Sequence, residues 1–118
     1  MKRWWKHLPN NEQSELYCKI NVSNNSHFIY KATYSAFLNT DLDIQLKNNK
    51  IKNIIICGVK TNLCCETTAR EAFLKDYNVI FVADATMTNN ELMHLSSLIN
   101  LSYGFANVIY TDEINSIF

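Results

Sequence analysis

Cys64 stands where a thiol can do covalent chemistry. The apolar run Ile54-Ile55-Ile56-Cys57 leads into Gly58-Val59-Lys60-Thr61-Asn62-Leu63-Cys64-Cys65-Glu66, and a helical pattern follows in Thr67-Thr68-Ala69-Arg70-Glu71-Ala72-Phe73. A strand ends, the chain turns, and Cys64 falls in the first turn of a helix. A free thiol has a pKa of about 8.5, so little of it is thiolate at neutral pH. A helix N-terminus carries roughly half a positive charge, which favours the anion, and a nearby ammonium adds to it. Lys31 is the candidate ammonium. It would stabilise a thiolate without taking the proton, so a separate base, usually a carboxylate, is also needed. Backbone N–H groups of the turn from Lys60 to Cys64 can receive a developing oxyanion. The reaction class is acyl transfer, with attack on an amide or similar carbonyl and hydrolysis of the resulting thioester.

Each of these residues also has a plainer reading. A lone cysteine at a strand–helix junction is more often core than nucleophile. Cys65 falls on the apolar side of the helix and is assigned to packing, where a free cysteine behaves as a small hydrophobe. Lys31 alone is a surface charge, Asp84 a cap or turn former, and His94 a structural or pocket-rim residue. A dithiol redox role for Cys64 and Cys65 is disfavoured, because a bridge between neighbours is strained.

The elements that must hold the site follow from periodicity. His27-Phe28-Ile29-Tyr30 reads as a short strand ending at Lys31. Thr40 or Asp41 caps a helix carrying Leu42 and Leu46. Residues 53–57 form a near-continuous apolar strand, the pattern of one buried on both faces. The helix from about Cys64 to Tyr77 places Cys65, Thr68, Ala69, Ala72 and Phe73 on one face, with Glu66 and Arg70 paired on the other. Val79-Ile80-Phe81-Val82-Ala83 is a second buried strand. A helix from about Asn90 to Tyr103 turns Leu92, Leu95, Leu98 and Ile99 inward, and Asn107-Val108-Ile109-Tyr110 is the last strand. Strands alternating with helices predict an α/β fold with a parallel sheet and right-handed crossovers. In such sheets the site lies outside the carboxyl ends of the strands, an edge shared by Lys31, Cys64 and Asp84.

Composition sets the outer bounds. The chain has 118 residues, enough for one domain, and its hydrophobic fraction of 47% suits a packed core. Eleven basic residues balance eleven acidic ones, and no run of like charge points to nucleic acid or an anionic membrane. No apolar stretch approaches the roughly 18 residues of a membrane span. Residues 1–26 are polar and irregular, carry Trp4 and Trp5, and lack the apolar centre of a signal peptide. The four cysteines, Cys18 among them, have no zinc-site spacing, and His7, His27 and His94 are scattered. Free thiols in a reducing, cytoplasmic setting are expected. The paired asparagines, such as Asn48-Asn49 and Asn89-Asn90, read as turn formers.

GVKTNLCCETTAREAF, followed after a spacer by VIFVADATMT, resembles the isochorismatase-like cysteine hydrolases. That superfamily includes nicotinamidases, ureidoacrylate and biuret amidohydrolases and N-carbamoylsarcosine amidase. Upstream, KATYSAFLNTDLDIQL is similar to the family's lysine segment, and MHLSSLINLSYGFANVIYTDEI to its closing helix and strand. The resemblance is strongest over residues 27–114. It implies a three-layer α/β/α domain over 1–118 and a hydrolase cleaving a C–N bond of a small-molecule amide, in a family where homo-oligomers are common; the aspartate pair and histidines of its metal-binding nicotinamidases are not visible here, so no metal and no cofactor are expected. By motif it makes Cys64 the nucleophile and Lys31 its support. It implies an oxyanion hole from the N–H groups of Lys60 and Cys64, and a cis peptide between Val59 and Lys60. Lys60 itself stands where the family often has a small residue. The family's catalytic aspartate sits on an N-terminal strand whose pattern is not found in residues 1–26. The expectation is therefore a chain lacking that strand and the general base, and the alternative to an enzyme is a catalytically inactive member or interaction remnant.

Overall fold

The computed structural model describes residues 21–117, so the readings made for Trp4, Trp5, His7 and Cys18 lie outside the described residues. Three parallel strands form one sheet in the order β1 (Asn53–Val59), β2 (Asn78–Met87), β3 (Asn107–Ile109). Helix α1 (Leu42–Asn48) precedes β1, α2 (Glu66–Leu74) joins β1 to β2, and α3 (Glu91–Gly104) joins β2 to β3. A short α4 (Ile114–Ile117) closes the described chain. No helix among the described residues is long and apolar enough to cross a membrane.

Alternation along β2 divides the core. Val79 and Phe81 point into a cluster with Ile56, Cys65, Ala69, Ala72 and Leu101, packed against Leu42, Leu46 and Leu98. Ile80 and Val82 point the other way, to Ile109, Ala85 and Ile114. Helices α1, α2 and α3 thus share one face and α4 lies on the opposite one. Phe81 and Leu101 are fully buried, and burying such a side chain stabilises by about 1.5–3 kcal/mol. The small Ala69 and Ala72 let α2 sit close on the sheet, and both are wholly buried.

Three expectations are corrected. Residues 27–30 form no strand. Tyr30 is 81% exposed, and among the described residues no strand pairs with this four-residue run. Strand β1 is not buried on both faces: only Ile56 is buried, while Ile55, Cys57 and Val59 are exposed. Among the described residues it pairs with β2 alone, and Ile55 and Cys57 lie on the opposite face from Ile56, where they are exposed. The third correction concerns α3, whose buried residues are Ser97 and Leu101, with His94 and Leu98 partly buried beside them. Leu92, Leu95 and Ile99 face outward.

Candidate active site

The end of β1 is bent by design of its residues. The register with β2 slips between Ile56 and Gly58, and Gly58 has φ 114°, a conformation open to glycine and strained for other residues. The Val59–Lys60 peptide is cis. Lys60 is still extended, at φ −99° and ψ 142°, and its carbonyl then accepts the N–H groups of Leu63 at 3.2 Å and Cys65 at 3.1 Å. Those bonds curl Thr61–Cys65 into a π turn that runs directly into α2. The chain therefore delivers Cys64, partly exposed, and Cys65, buried, to the carboxyl end of β1.

The two adjacent thiols are in different environments. Cys65 joins the core cluster at 5% exposure. Its pKa is pushed up to about 11, first by burial and then by the neighbouring Cys64 and Cys57, with Lys31 partly opposing. Cys65 is thus a neutral packing thiol.

Thr61 anchors the turn from below. Its side chain is fully buried and shares a 2.9 Å hydrogen bond with Nδ1 of His94 on α3. Next to it, Asn62 accepts a 2.7 Å hydrogen bond from the Thr88 hydroxyl. His94 and Thr88 also line an open pocket of about 270 Å³ with Thr86, Met87 and Asn90. A larger pocket of about 600 Å³, between Asn24 and α1, includes no residue of the turn.

The Lys31 segment is clamped to α2 at the next helical turn. Thr68 Oγ1 accepts the N–H of Ala36 at 3.1 Å and donates to the Tyr34 carbonyl at 3.5 Å. Ser35 donates to the Glu71 carboxylate and accepts the N–H of Phe37 at 3.1 Å. The ammonium of Lys31 itself is exposed and donates to the carbonyls of Thr33 at 2.7 Å and Tyr34 at 3.1 Å. Lys31 and Cys64 are therefore carried on two segments joined through Thr68, one turn beyond Cys64.

The carboxylates have other partners. Asp84 lies within β2, and its oxygens accept the N–H of Thr111 at 2.9 Å and the Thr111 hydroxyl at 2.6 Å. The Thr111 hydroxyl bond, opposed by some desolvation and aided by the backbone bond, holds Asp84 below the usual carboxylate pKa. Asp84 is thus a clasp on the β3 side of the sheet, the cap reading rather than the site reading. Glu66 accepts Arg70 Nε at 3.0 Å and Nη2 at 2.8 Å, and the Ser97 hydroxyl at 2.6 Å. Among the described residues no carboxylate hydrogen-bonds Cys64, and no group of three His, Cys, Asp or Glu could hold a metal ion.

Thr61, Thr68 and Thr88 fall inside the quoted motifs but were given no role there, whereas His94, read as a structural or pocket-rim residue, does hold Thr61 and line the smaller pocket. Thr68 lies one helical turn beyond Cys64.

A family model described as the isochorismatase domain matches residues 2–113, taking in residues upstream of the segment in which the resemblance was strongest. The chain is 47% identical over 93 residues to nicotinamidase 3 of Arabidopsis thaliana, an alignment covering 79% of this chain and 47% of that protein. It is 37% identical over 76 residues to a ureidoacrylate amidohydrolase of Methylobacterium radiotolerans, covering 64% of this chain and 30% of that one. The crystal structure of an isochorismatase-like hydrolase from Alkaliphilus metalliredigens matches with a TM-score of 0.84 at 32% identity, over 88% of this chain and 57% of that one. The chain spans about half the length of the curated relatives it matches.

Proposed function

The chain belongs to the isochorismatase family, and from that premise we propose that it is a cysteine hydrolase cleaving the C–N bond of a small-molecule amide through a thioester on Cys64. The observation that carries this reading is the placement of Cys64. It is the partly exposed thiol of the pair, set at the carboxyl end of β1 on a turn that feeds α2, with the Lys31 segment fastened to that same helix. The Cys64 thiolate attacks the carbonyl carbon and a C–S bond forms. The N–H groups of Lys60 and Cys64 receive the oxyanion, and its collapse breaks the C–N bond as the amine departs with a proton. Water then adds to the thioester, giving the carboxylate product and the free thiol. Lys31 supports the thiolate electrostatically. Nicotinamide and ureidoacrylate are the first substrates to try, since relatives carry those activities in their names.

A second reading, a catalytically inactive family member or interaction remnant, is favoured by one specific observation. The Lys31 ammonium is bonded to its own segment, and Glu66, Glu71 and Asp84 are each bonded elsewhere, so no described carboxylate serves Cys64 as base. Losing a general base typically costs about 10²–10⁴-fold in rate. Release of ammonia or amine from nicotinamide or ureidoacrylate by the 118-residue chain separates the two readings. Hydrolysis that disappears in Cys64→Ser supports the enzyme. Hydrolysis unchanged by Cys64→Ser excludes the thioester, and no hydrolysis at all favours the inactive reading.

A further inference from the structure

Among the described residues, the half-buried lysines and arginines have acidic partners, with one exception. Arg70 is held by Glu66 at 2.8 Å, and Lys75 lies 3.7 Å from Asp43 and 3.8 Å from Glu71. Lys60 is half-buried as well, yet its ammonium has no hydrogen bond and no ion pair among the described residues. A charge taken part of the way out of water is costly without a counter-charge. The carboxylates of the neighbouring elements do not supply one. Glu66 is occupied by Arg70 and Ser97, Glu71 by Ser35 and Lys75, and Asp84 by Thr111. The backbone of Lys60 is fixed, since its carbonyl holds the N–H groups of Leu63 and Cys65. Its side chain therefore starts from a set point at the carboxyl end of β1, on the turn that presents Cys64.

We propose that the Lys60 ammonium is a specificity determinant that binds a carboxylate on the amide substrate, so that the site selects acidic amides over neutral ones. The proposal rests on the reading above, in which Cys64 attacks the carbonyl carbon and the N–H of Lys60 receives its oxygen. A donor N–H nitrogen lies about 2.7–3.1 Å from the oxyanion. The Cα of Lys60 is one bond of about 1.46 Å beyond that nitrogen. Its four-carbon stem then carries the charge about 6 Å from Cα. A carboxylate a few bonds from the scissile carbonyl falls within that reach, and a neutral amide has nothing to offer it. Lysine is a compact point charge on a flexible stem, so it selects for charge more than for shape. Two unit charges about 6 Å apart attract strongly enough for about a threefold preference in water, and about tenfold where half of that screening is lost.

Iodoacetate and iodoacetamide are nearly equal in size, differ by one charge and alkylate the same sulfur. Their rates at Cys64 of the full 118-residue chain are read by peptide mass spectrometry at pH 8. Dividing one rate by the other cancels any change in the thiol's own reactivity. The iodoacetate-to-iodoacetamide ratio is expected to lie about three- to tenfold above that of N-acetylcysteine. It should fall back towards the N-acetylcysteine value in Lys60→Gln, persist in Lys60→Arg and drop below that value in Lys60→Glu. In the native chain it should collapse in about 1 M salt, where the Debye length shrinks to about 3 Å, a readout that needs no variant. A ratio that is the same in the native chain and in Lys60→Gln overturns the proposal and leaves Cys64 standing as the nucleophile. A ratio lost in Lys31→Gln but kept in Lys60→Gln gives the anion to Lys31 and likewise overturns it. A Cys64 that reacts with iodoacetamide no faster than N-acetylcysteine removes the nucleophile itself, and the proposal falls with it.

Discussion

Removing His94 should cost more than removing the hydroxyl it holds. Thr61 Oγ1 is fully buried at the base of the Cys64 turn, and His94 Nδ1 at 2.9 Å is the partner that satisfies it. His94→Ala strands that hydroxyl away from water, and an unsatisfied buried polar group costs about 1–3 kcal/mol. Alanine regains a few tenths of a kcal/mol in helix propensity, which works against the effect and cannot create it. Thr61→Val removes the hydroxyl with little change of shape. The partly buried His94 can then turn to water, so the loss is that of one net hydrogen bond, about 0.5–1.5 kcal/mol. In the double variant nothing is stranded. Adding Thr61→Val to His94→Ala should therefore be neutral or stabilising, a coupling of about 1 kcal/mol or more between touching residues. Urea unfolding followed by circular dichroism measures all three. With slopes of about 2 kcal/mol per molar urea, the His94→Ala midpoint should fall by about 1 M. Additive losses in the double variant, or a larger loss for Thr61→Val than for His94→Ala, would refute the claim that His94 supports the turn through this bond.

Other outcomes follow from the same geometry. Iodoacetamide at pH 8 should alkylate Cys57 and Cys64 in the folded protein and spare Cys65, whose thiol is buried with a pKa of about 11; mass spectrometry of the peptides reads this, and early labelling of Cys65 contradicts its place in the core. Tyr77 donates a 2.8 Å hydrogen bond to Asp43, and burial followed by that bond raises its pKa to about 12. A raised folded-state value means its contribution to stability is complete below the unfolded tyrosine pKa of about 10 and is lost as pH climbs towards 12. Tyr77→Phe should flatten the stability profile in that window. Asp43 has the opposite sign: its bonds to Lys47 and then Tyr77 lower its pKa, so its contribution is present above the ordinary aspartate value and lost as pH falls through the lower folded one. Asp43→Asn should remove that acid dependence, measurable by thermal melts between neutral pH and strong acid. Ser97→Ala takes from Glu66 the hydroxyl that links α2 to α3 at 2.6 Å, but Arg70 still neutralises the carboxylate. The expected loss is about 1–2 kcal/mol in urea unfolding, below the range for stranding a charge.

What could be read in advance, and what could not, divides along a physical line. The strand–turn–helix around Cys64 was legible because it is local: a breaker at Gly58, an apolar run before it and helical spacing after it are fixed by near neighbours. Val79–Ala83 was legible too, since every residue of it is buried. The failures are all questions of which partner an element finds. An Ile-rich run reads the same whether one face is covered or two, and among the described residues β1 has a strand partner on one side only. Helix α3 presented two lines, the apolar 92–95–99–103 and the mixed 94–97–98–101, and periodicity alone ranks the longer aliphatic one first. The core took the other. Ser97 on that line reaches Glu66 and His94 reaches Thr61, and these are polar bonds that bury well only because their partners sit on the segments below. Polar complementarity between distant segments thus outweighed hydrophobicity in setting the helix's rotation. The same bonds hold the Cys64 turn, so the rotation that a hydrophobic reading misses is also the one that positions the site.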